Sequence, residues 1–258
     1  MIIDFHCHVG KDSSDEEYEH LNLEELKRSM DKWGVDKAVV FPFNGDDESL
    51  IEESLEILEK SKEADWIVPL LRINPKSLSK DELSGLLDKG FKGIKLHPRA
   101  QDFDLDDEKY FWVYEMCVDR ELPVLFHSSV KDSTSKPEKI LSIAERFPDL
   151  KVVMAHFFGN DFSIMKIAKD YPNLYVDTSM NSGTMKRLQT VNKYGFKNMV
   201  FASDIPYDSQ GVALLKIREA GFSEENEDLI LGGNAAKILG LIPEMVVEKR
   251  ERGEGDGK

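Results

Sequence analysis

The sequence predicts an α/β fold, a closed (β/α)8 TIM barrel, and three observations point there. Short runs rich in Val, Ile and Phe recur eight times along the 258 residues. A stretch with helical spacing follows each run, and strands alternating with helices imply parallel βαβ units. The length also suits one such barrel, which takes ~250 residues.

The expected strands are Ile2–His8, Ala38–Phe43, Ile67–Ile73, Gly93–His97, Val124–His127, Val152–His156, Leu174–Asp177 and Met199–Asp204. Between the first two, Leu23, Leu26, Met30 and Trp33 form a stripe at helical spacing. Asn22, with Glu25 three residues on, caps the start of that helix, and Gly34 follows its end. Ser49 and Glu52 repeat the capping pattern ahead of Leu55 and Leu58. Apolar stripes at Leu83/Leu86/Leu87, Ile140/Ala144/Phe147, Ile164/Ile167/Tyr171 and Met185/Leu188 supply later helices. Nothing between these units reads as a linker, so residues 1–246 are expected to form one domain. Residues 247–258 are charged and Gly-rich without apolar periodicity, and are expected to be a frayed tail. The acidic stretch Asp12–Glu19 reads as a solvated loop near the barrel mouth.

Composition narrows the function classes. Lys and Arg number 34 against 49 Asp and Glu, for a formal charge of −15. Nucleic acid and anionic membrane surfaces both need a basic stripe, so neither is expected as a partner. No run approaches ~18 apolar residues, so no membrane span is expected. The opening MIIDFHCH lacks the basic region of a secretory signal, and Cys7 and Cys117 make no disulfide framework. A reduced, cytoplasmic protein is the expectation.

Histidine carries the chemical signal. Of six, His6, His8, His97, His127 and His156 lie at the C-terminal ends of expected strands, where barrel active sites are built. Residues i and i+2 of a strand share a face, so His6 and His8 point together and Cys7 points to the helix layer. Two such imidazoles suit a borderline metal, or equally a hydrogen-bonded pair. His127, His156 and Asp204 at other strand ends tip the balance toward a nitrogen and oxygen metal shell with a position open for water. By the same alternation Asp4 joins the His6/His8 face one step deeper and supports the ligands through hydrogen bonds. His20 reads as a solvated loop residue.

These segments together resemble the amidohydrolase superfamily, and within it the branch of aminocarboxymuconate-semialdehyde decarboxylase and the pyrone-dicarboxylate lactonases. The resemblance rests on DFHCHVG (4–10), GFKGIKLHP (90–98), LFHSS (125–129), VVMAHFFG (152–159), FASDIP (201–206) and GGNAAKILGL (232–241). It implies that His6, His8, His127 and Asp204 hold one divalent metal, with His156 beside its water. Zn2+ is the first expectation, and Mn2+, Fe2+ or Co2+ would also satisfy such a shell. Lys95, which can be carbamylated in some superfamily members, is expected here to be a buried cation for a substrate carboxylate or oxyanion. His97 binds substrate or caps its loop, and Arg72 and Arg99 suit a carboxylate. Asn74, beside Arg72 at the end of the third strand, is a candidate of the same kind, and Asn44, Ser179 and Asn181 are weaker ones.

The resemblance implies metal-assisted hydrolysis of an amide, lactone or related bond in a small organic acid. Asp204 would take the water proton and His156 would orient the hydroxide or steady the oxyanion. The same shell also fits non-oxidative decarboxylation of an unsaturated or aromatic acid, and some lactonase relatives use no metal. A non-catalytic ligand-binding barrel and a metallophosphoesterase are the remaining alternatives. Homodimers are common among the resembling enzymes, but no feature of this sequence demonstrates one.

Overall fold

The structure, a computed structural model, describes residues 1–13, 20–161, 163–179 and 185–241. Ten strands follow in chain order: β1 Ile3–Lys11, β2 His20–Leu21, β3 Lys37–Pro42, β4 Ile67–Pro69, β5 Leu71–Arg72, β6 Ile94–Leu96, β7 Val124–Phe126, β8 Val152–Met154, β9 Leu174–Asp177 and β10 Met199–Val200. Except for β2, every pairing is parallel: β1 with β3, β3 with β4, and then β5 through β10 in sequence. The ring closes where the Phe5 amide donates to the Phe201 carbonyl and the Asp204 amide to the His6 carbonyl, each at 2.9 Å. The chain therefore forms the expected TIM barrel. Among the described residues no helix is long and apolar enough to cross a membrane.

Two apolar layers follow from strand alternation. Ile3, Phe5, Val39, Phe41, Leu70, Leu125, Val153, Tyr175 and Val200 fill the barrel interior. Their neighbours Val40, Leu71, Ile94, Leu96, Val124 and Met154 face the helices. The short helix Asn234–Ile238 plugs the N-terminal mouth, with Ala235, Ala236 and Ile238 joining the interior layer. Active chemistry is thereby confined to the opposite, C-terminal mouth.

Several expectations need correction. The strand expected over 67–73 is two strands, because the Leu70 amide turns to the Val40 carbonyl while Leu71 pairs with Ile94. β1 runs three residues past His8 and pairs antiparallel with β2, so His20, although exposed, sits in a short strand rather than a loop. Helix Leu23–Trp33 has the expected Asn22/Glu25 capping box and a left-handed Gly34 at its end. Helix Asp47–Ser61 instead starts at Asp46, whose carboxylate accepts the Ser49 amide and hydroxyl, so Ser49 is a first-turn residue and not the cap. Most of the acidic stretch (14–19), Asn181 and the charged tail lie outside the described residues.

One irregularity decides what β1 presents. Asp4 pairs with Ala38 and Cys7 with Val40, so three steps of β1 stand against two of β3. This bulge breaks the alternation. Phe5 fills the barrel interior, yet His6 next to it lines the mouth cavity, and Cys7 packs in the helix layer as expected. Asp4 does not share the histidines' face: it turns to Ser203 and Gln210. Because Phe5 is fully buried, Phe5→Ala is expected to destabilise the protein by about 3–5 kcal/mol, read by denaturant unfolding.

Candidate active site

Burial makes the imidazoles of the mouth neutral and their partners assign each tautomer. Desolvation, reinforced by Lys95 beside His6 and Arg72 beside His8, holds both rings well below the ordinary histidine range. His6 Nδ1 lies 2.7 Å from Asp177 Oδ2, and the ionised form of that carboxylate can only accept, so with Asp177 ionised Nδ1 carries the proton. His8 Nδ1 faces the Pro42 carbonyl at 3.4 Å and is protonated for the same reason. Both Nε2 atoms therefore carry lone pairs. They meet Asp204 Oδ1 at 3.1 and 3.2 Å, and that buried oxygen has no hydrogen-bond donor.

With Asp204 ionised, three buried acceptors converge and repel; burial answers by raising the Asp204 carboxyl above its usual range, and a cation among the three would answer it more fully. Their types, two imidazole nitrogens and a carboxylate oxygen, are those of a divalent-metal site. The residues present thus fit such an ion. Asp177, which the sequence reading missed, fixes the His6 tautomer and also accepts the His156 amide at 2.8 Å. Burial raises Asp177 to about 7 against hydrogen bonds from Ser179 and the His156 amide. The same inward alternation that places Tyr175 in the barrel places Asp177 at its strand end, so the signal was there to be read.

The remaining histidines form a second file. His156 Nε2 lies 2.9 Å from His127 Nδ1, and His127 stacks on His97 with ring centroids 3.7 Å apart. His156 Nδ1 faces Ser179 Oγ at 3.1 Å and Asp204 Oδ2 at 3.7 Å. His127, expected as a fourth ligand, thus stands beyond His156, outside the cluster of His6, His8 and Asp204. His156, Phe157 and Phe158 all have left-handed backbone, so the chain leaves β8 in a tight turn rather than a helix. Strain of this kind gathers at functional sites. His97 Nδ1 accepts the Ala100 amide, capping its loop, while its ring also lines the cavity.

Two buried cations stand side by side. Arg72 and Lys95 are register partners on β5 and β6, and both are about 1% exposed. Lys95 Nζ lies 3.5 Å from His6 Nε2 and 5.1 Å from the Phe41 ring centroid. Burial and then Arg72 pull its pKa down to about 7. Arg72, expected to bind substrate, instead donates to the Pro42 carbonyl and Asn44 Oδ1 and is not part of the cavity wall. Asn44 passes the contact to Asp12, which also accepts the Tyr207 hydroxyl. Asn74 accepts the Lys76 amide and serves its own loop. Arg99 is exposed on the cavity rim.

The cavity itself is about 280 Å³ and is walled by both histidine files, Lys95, Arg99 and Asp204. Larger grooves of about 440 and 470 Å³ lie on the outer surface near Leu23 and carry no comparable cluster.

The amidohydrolase family model matches residues 3–241, and the chain belongs to that family. Among curated proteins, 2-amino-3-carboxymuconate-6-semialdehyde decarboxylase of Dictyostelium discoideum is 26% identical over 203 residues, 61% of this chain and 56% of that one. The chain thus spans little more than half the length of that relative. Among solved structures, 5-carboxyvanillate decarboxylase of Sphingomonas paucimobilis superposes with a TM-score of 0.74 at 17% identity, covering 93% of this chain and 98% of that one. A Pseudomonas putida protein described as a 2-pyrone-4,6-dicarboxylic acid hydrolase gives 0.71 at 17% identity, covering 94% and 98%. At such identities the solved structures show the shared fold. Members of the family bind a divalent metal, and the His6, His8 and Asp204 group is one that could hold it.

Two expected outcomes follow from this geometry. Asp177→Asn frees the His6 tautomer and is expected to weaken Zn2+ binding 10–100-fold in chelator competition. Lys95 is charged in the folded state only below about 7, against 10.5 unfolded. The cost of burying its charge is full below pH 7 and gone above 10.5. Lys95→Met is therefore expected to stabilise the metal-free protein at pH 6, with the gain shrinking toward pH 10, as measured by guanidinium melts.

Proposed function

We propose that this chain is a metal-dependent enzyme that removes carbon dioxide, without redox chemistry, from a small unsaturated or aromatic carboxylic acid. The observation that carries the reading is the pairing of three convergent buried acceptors with a buried lysine that has no carboxylate within ion-pair distance among the described residues. The first calls for a metal and the second for a substrate anion. A decarboxylase as the curated relative, and another among the structural neighbours, support this chemistry over hydrolysis.

On this reading His6, His8 and Asp204 would hold the ion, with His127, the further ligand the sequence suggests, standing next to His156. Zn2+ is the first candidate, and Mn2+, Fe2+ or Co2+ are the others. When bound, the metal supplies Lewis-acid stabilisation of negative charge on substrate oxygens. Lys95 holds a substrate carboxylate or oxyanion, while His97 and Arg99 hold the end nearer solvent. His156, between Ser179, His127 and Asp204, is neutral in the free site; it takes up one proton from solvent as the anionic substrate binds and delivers that proton to the substrate carbon. The carbon–carbon bond breaks, its electron pair stays on that carbon and takes the proton, and CO2 leaves. The partner is a small organic acid rather than nucleic acid or membrane.

A second reading, hydrolysis of a lactone or amide, draws on the pyrone hydrolase neighbour and on the carboxylate of Asp204 beside His6 and His8, a group of the type that takes a proton from water. Carbon dioxide release from a panel of aromatic and unsaturated acids, run beside lactone opening, separates the two. CO2 release is expected, abolished by chelation and restored by Zn2+ or Mn2+. His156→Ala and Asp204→Asn are each expected to lower it at least about 100-fold. Full activity in metal-stripped protein, or lactone opening with no CO2 from any acid, would refute the decarboxylase reading.

A further inference from the structure

Asp204 has a left-handed backbone, with φ of +64°, at the position that must aim a carboxylate between two histidines. Few non-glycine residues adopt that conformation unless their surroundings impose it. The surroundings here lead to one side chain. Asp4 is fully buried, and its Oδ1 accepts the Ser203 amide at 2.9 Å and the His6 amide at 3.3 Å. Its Oδ2 accepts the Ser203 hydroxyl at 2.6 Å and Gln210 Nε2 at 2.9 Å. The Ser203 hydroxyl in turn accepts the Ile205 amide at 3.2 Å. The Asp4 carboxylate therefore grips the chain on both sides of Asp204, directly through Ser203 and through its hydroxyl to Ile205.

We propose that Asp4 is the positioning residue that sets the left-handed backbone of Asp204, and with it the direction from which that carboxylate meets His6 and His8. The bulge in β1 turns Asp4 off the cavity face, so it acts on the last strand from behind while the histidines act from the front. Gln210, at the start of helix Gln210–Arg218, adds a third element to the grip. Asp4 itself is not part of the cavity wall in this arrangement and works through the backbone of its neighbours, Ser203 above all and the His6 amide more weakly.

The inference rests on Asp204 being a metal-holding residue, and the test separates the two claims. Zn2+ affinity is measured by chelator competition for wild type, Asp204→Asn, Asp4→Asn, Ser203→Ala and Asn234→Ala, with the visible absorption of Co2+-loaded protein as a second readout. Asn234 binds the Lys197 and Met199 carbonyls at the far end of the same strand, so its loss lowers stability without touching the mouth. Asp4→Asn and Ser203→Ala are expected to weaken Zn2+ 10–100-fold and to shift the Co2+ spectrum. Asn234→Ala is expected to keep both at wild-type values. Should Asp4→Asn fail to fold, Ser203→Ala decides alone. A loss in Asp204→Asn with none in Asp4→Asn or Ser203→Ala overturns the inference, as does an equal loss in Asn234→Ala. Equal Zn2+ binding by wild type and Asp204→Asn overturns the metal reading, and the inference with it.

Discussion

Two imidazole nitrogens, both lone-pair donors, each come within 3.2 Å of one carboxylate oxygen at the buried mouth of the barrel. With Asp204 ionised that contact is unfavourable without a cation, and the surrounding hydrogen bonds hold it in place. Asp177 and the Pro42 carbonyl each occupy the outer nitrogen of one ring, which obliges the inner nitrogens to be acceptors. The plugged N-terminal mouth and the apolar interior below keep water from approaching except through the cavity. The site is therefore preorganised by its supports before any ligand arrives.

Charge is arranged against the grain of the whole molecule. A chain of net charge −15 places Arg72 and Lys95 beside each other in its most buried layer. Such a pair costs stability unless an anion is close, and Arg72 answers only part of the need, through neutral carbonyl and amide oxygens. The acidic exterior does not oppose an anionic substrate at contact range, because exposed charges more than ~10 Å away are screened by salt. What a carboxylate meets inside is local and cationic.

Much of this was legible in the sequence because barrel strands are short and end where chemistry begins. The periodicity located all eight barrel strands, and the strand-end residues His6, His8, Lys95, His97, His127, His156 and Asp204 all line one cavity. Alternation correctly sent Cys7 to the helix layer. It failed for Asp4, because a bulge inserts one residue without any composition signal, and every inference of facing across it reverses. It failed for Arg72, since strand position shows which way a side chain points but not which neighbouring carbonyl captures it. The separation of His127 from the cluster arises from a side-chain hydrogen bond to His156, which periodicity cannot register.

The seam between β1 and the segment that follows β10 is closed by isolated bonds rather than a continuous ladder, since β10 is two residues long. The donors for an ion straddle that joint, with His6 and His8 on one lip and Asp204 on the other. Chelation there would fasten the first tenth of the chain to its last quarter, shutting a loop of almost two hundred residues as a clasp shuts a bracelet. Conversely, a polypeptide still being synthesised cannot bring His6, His8 and Asp204 together until the segment after its last strand has emerged.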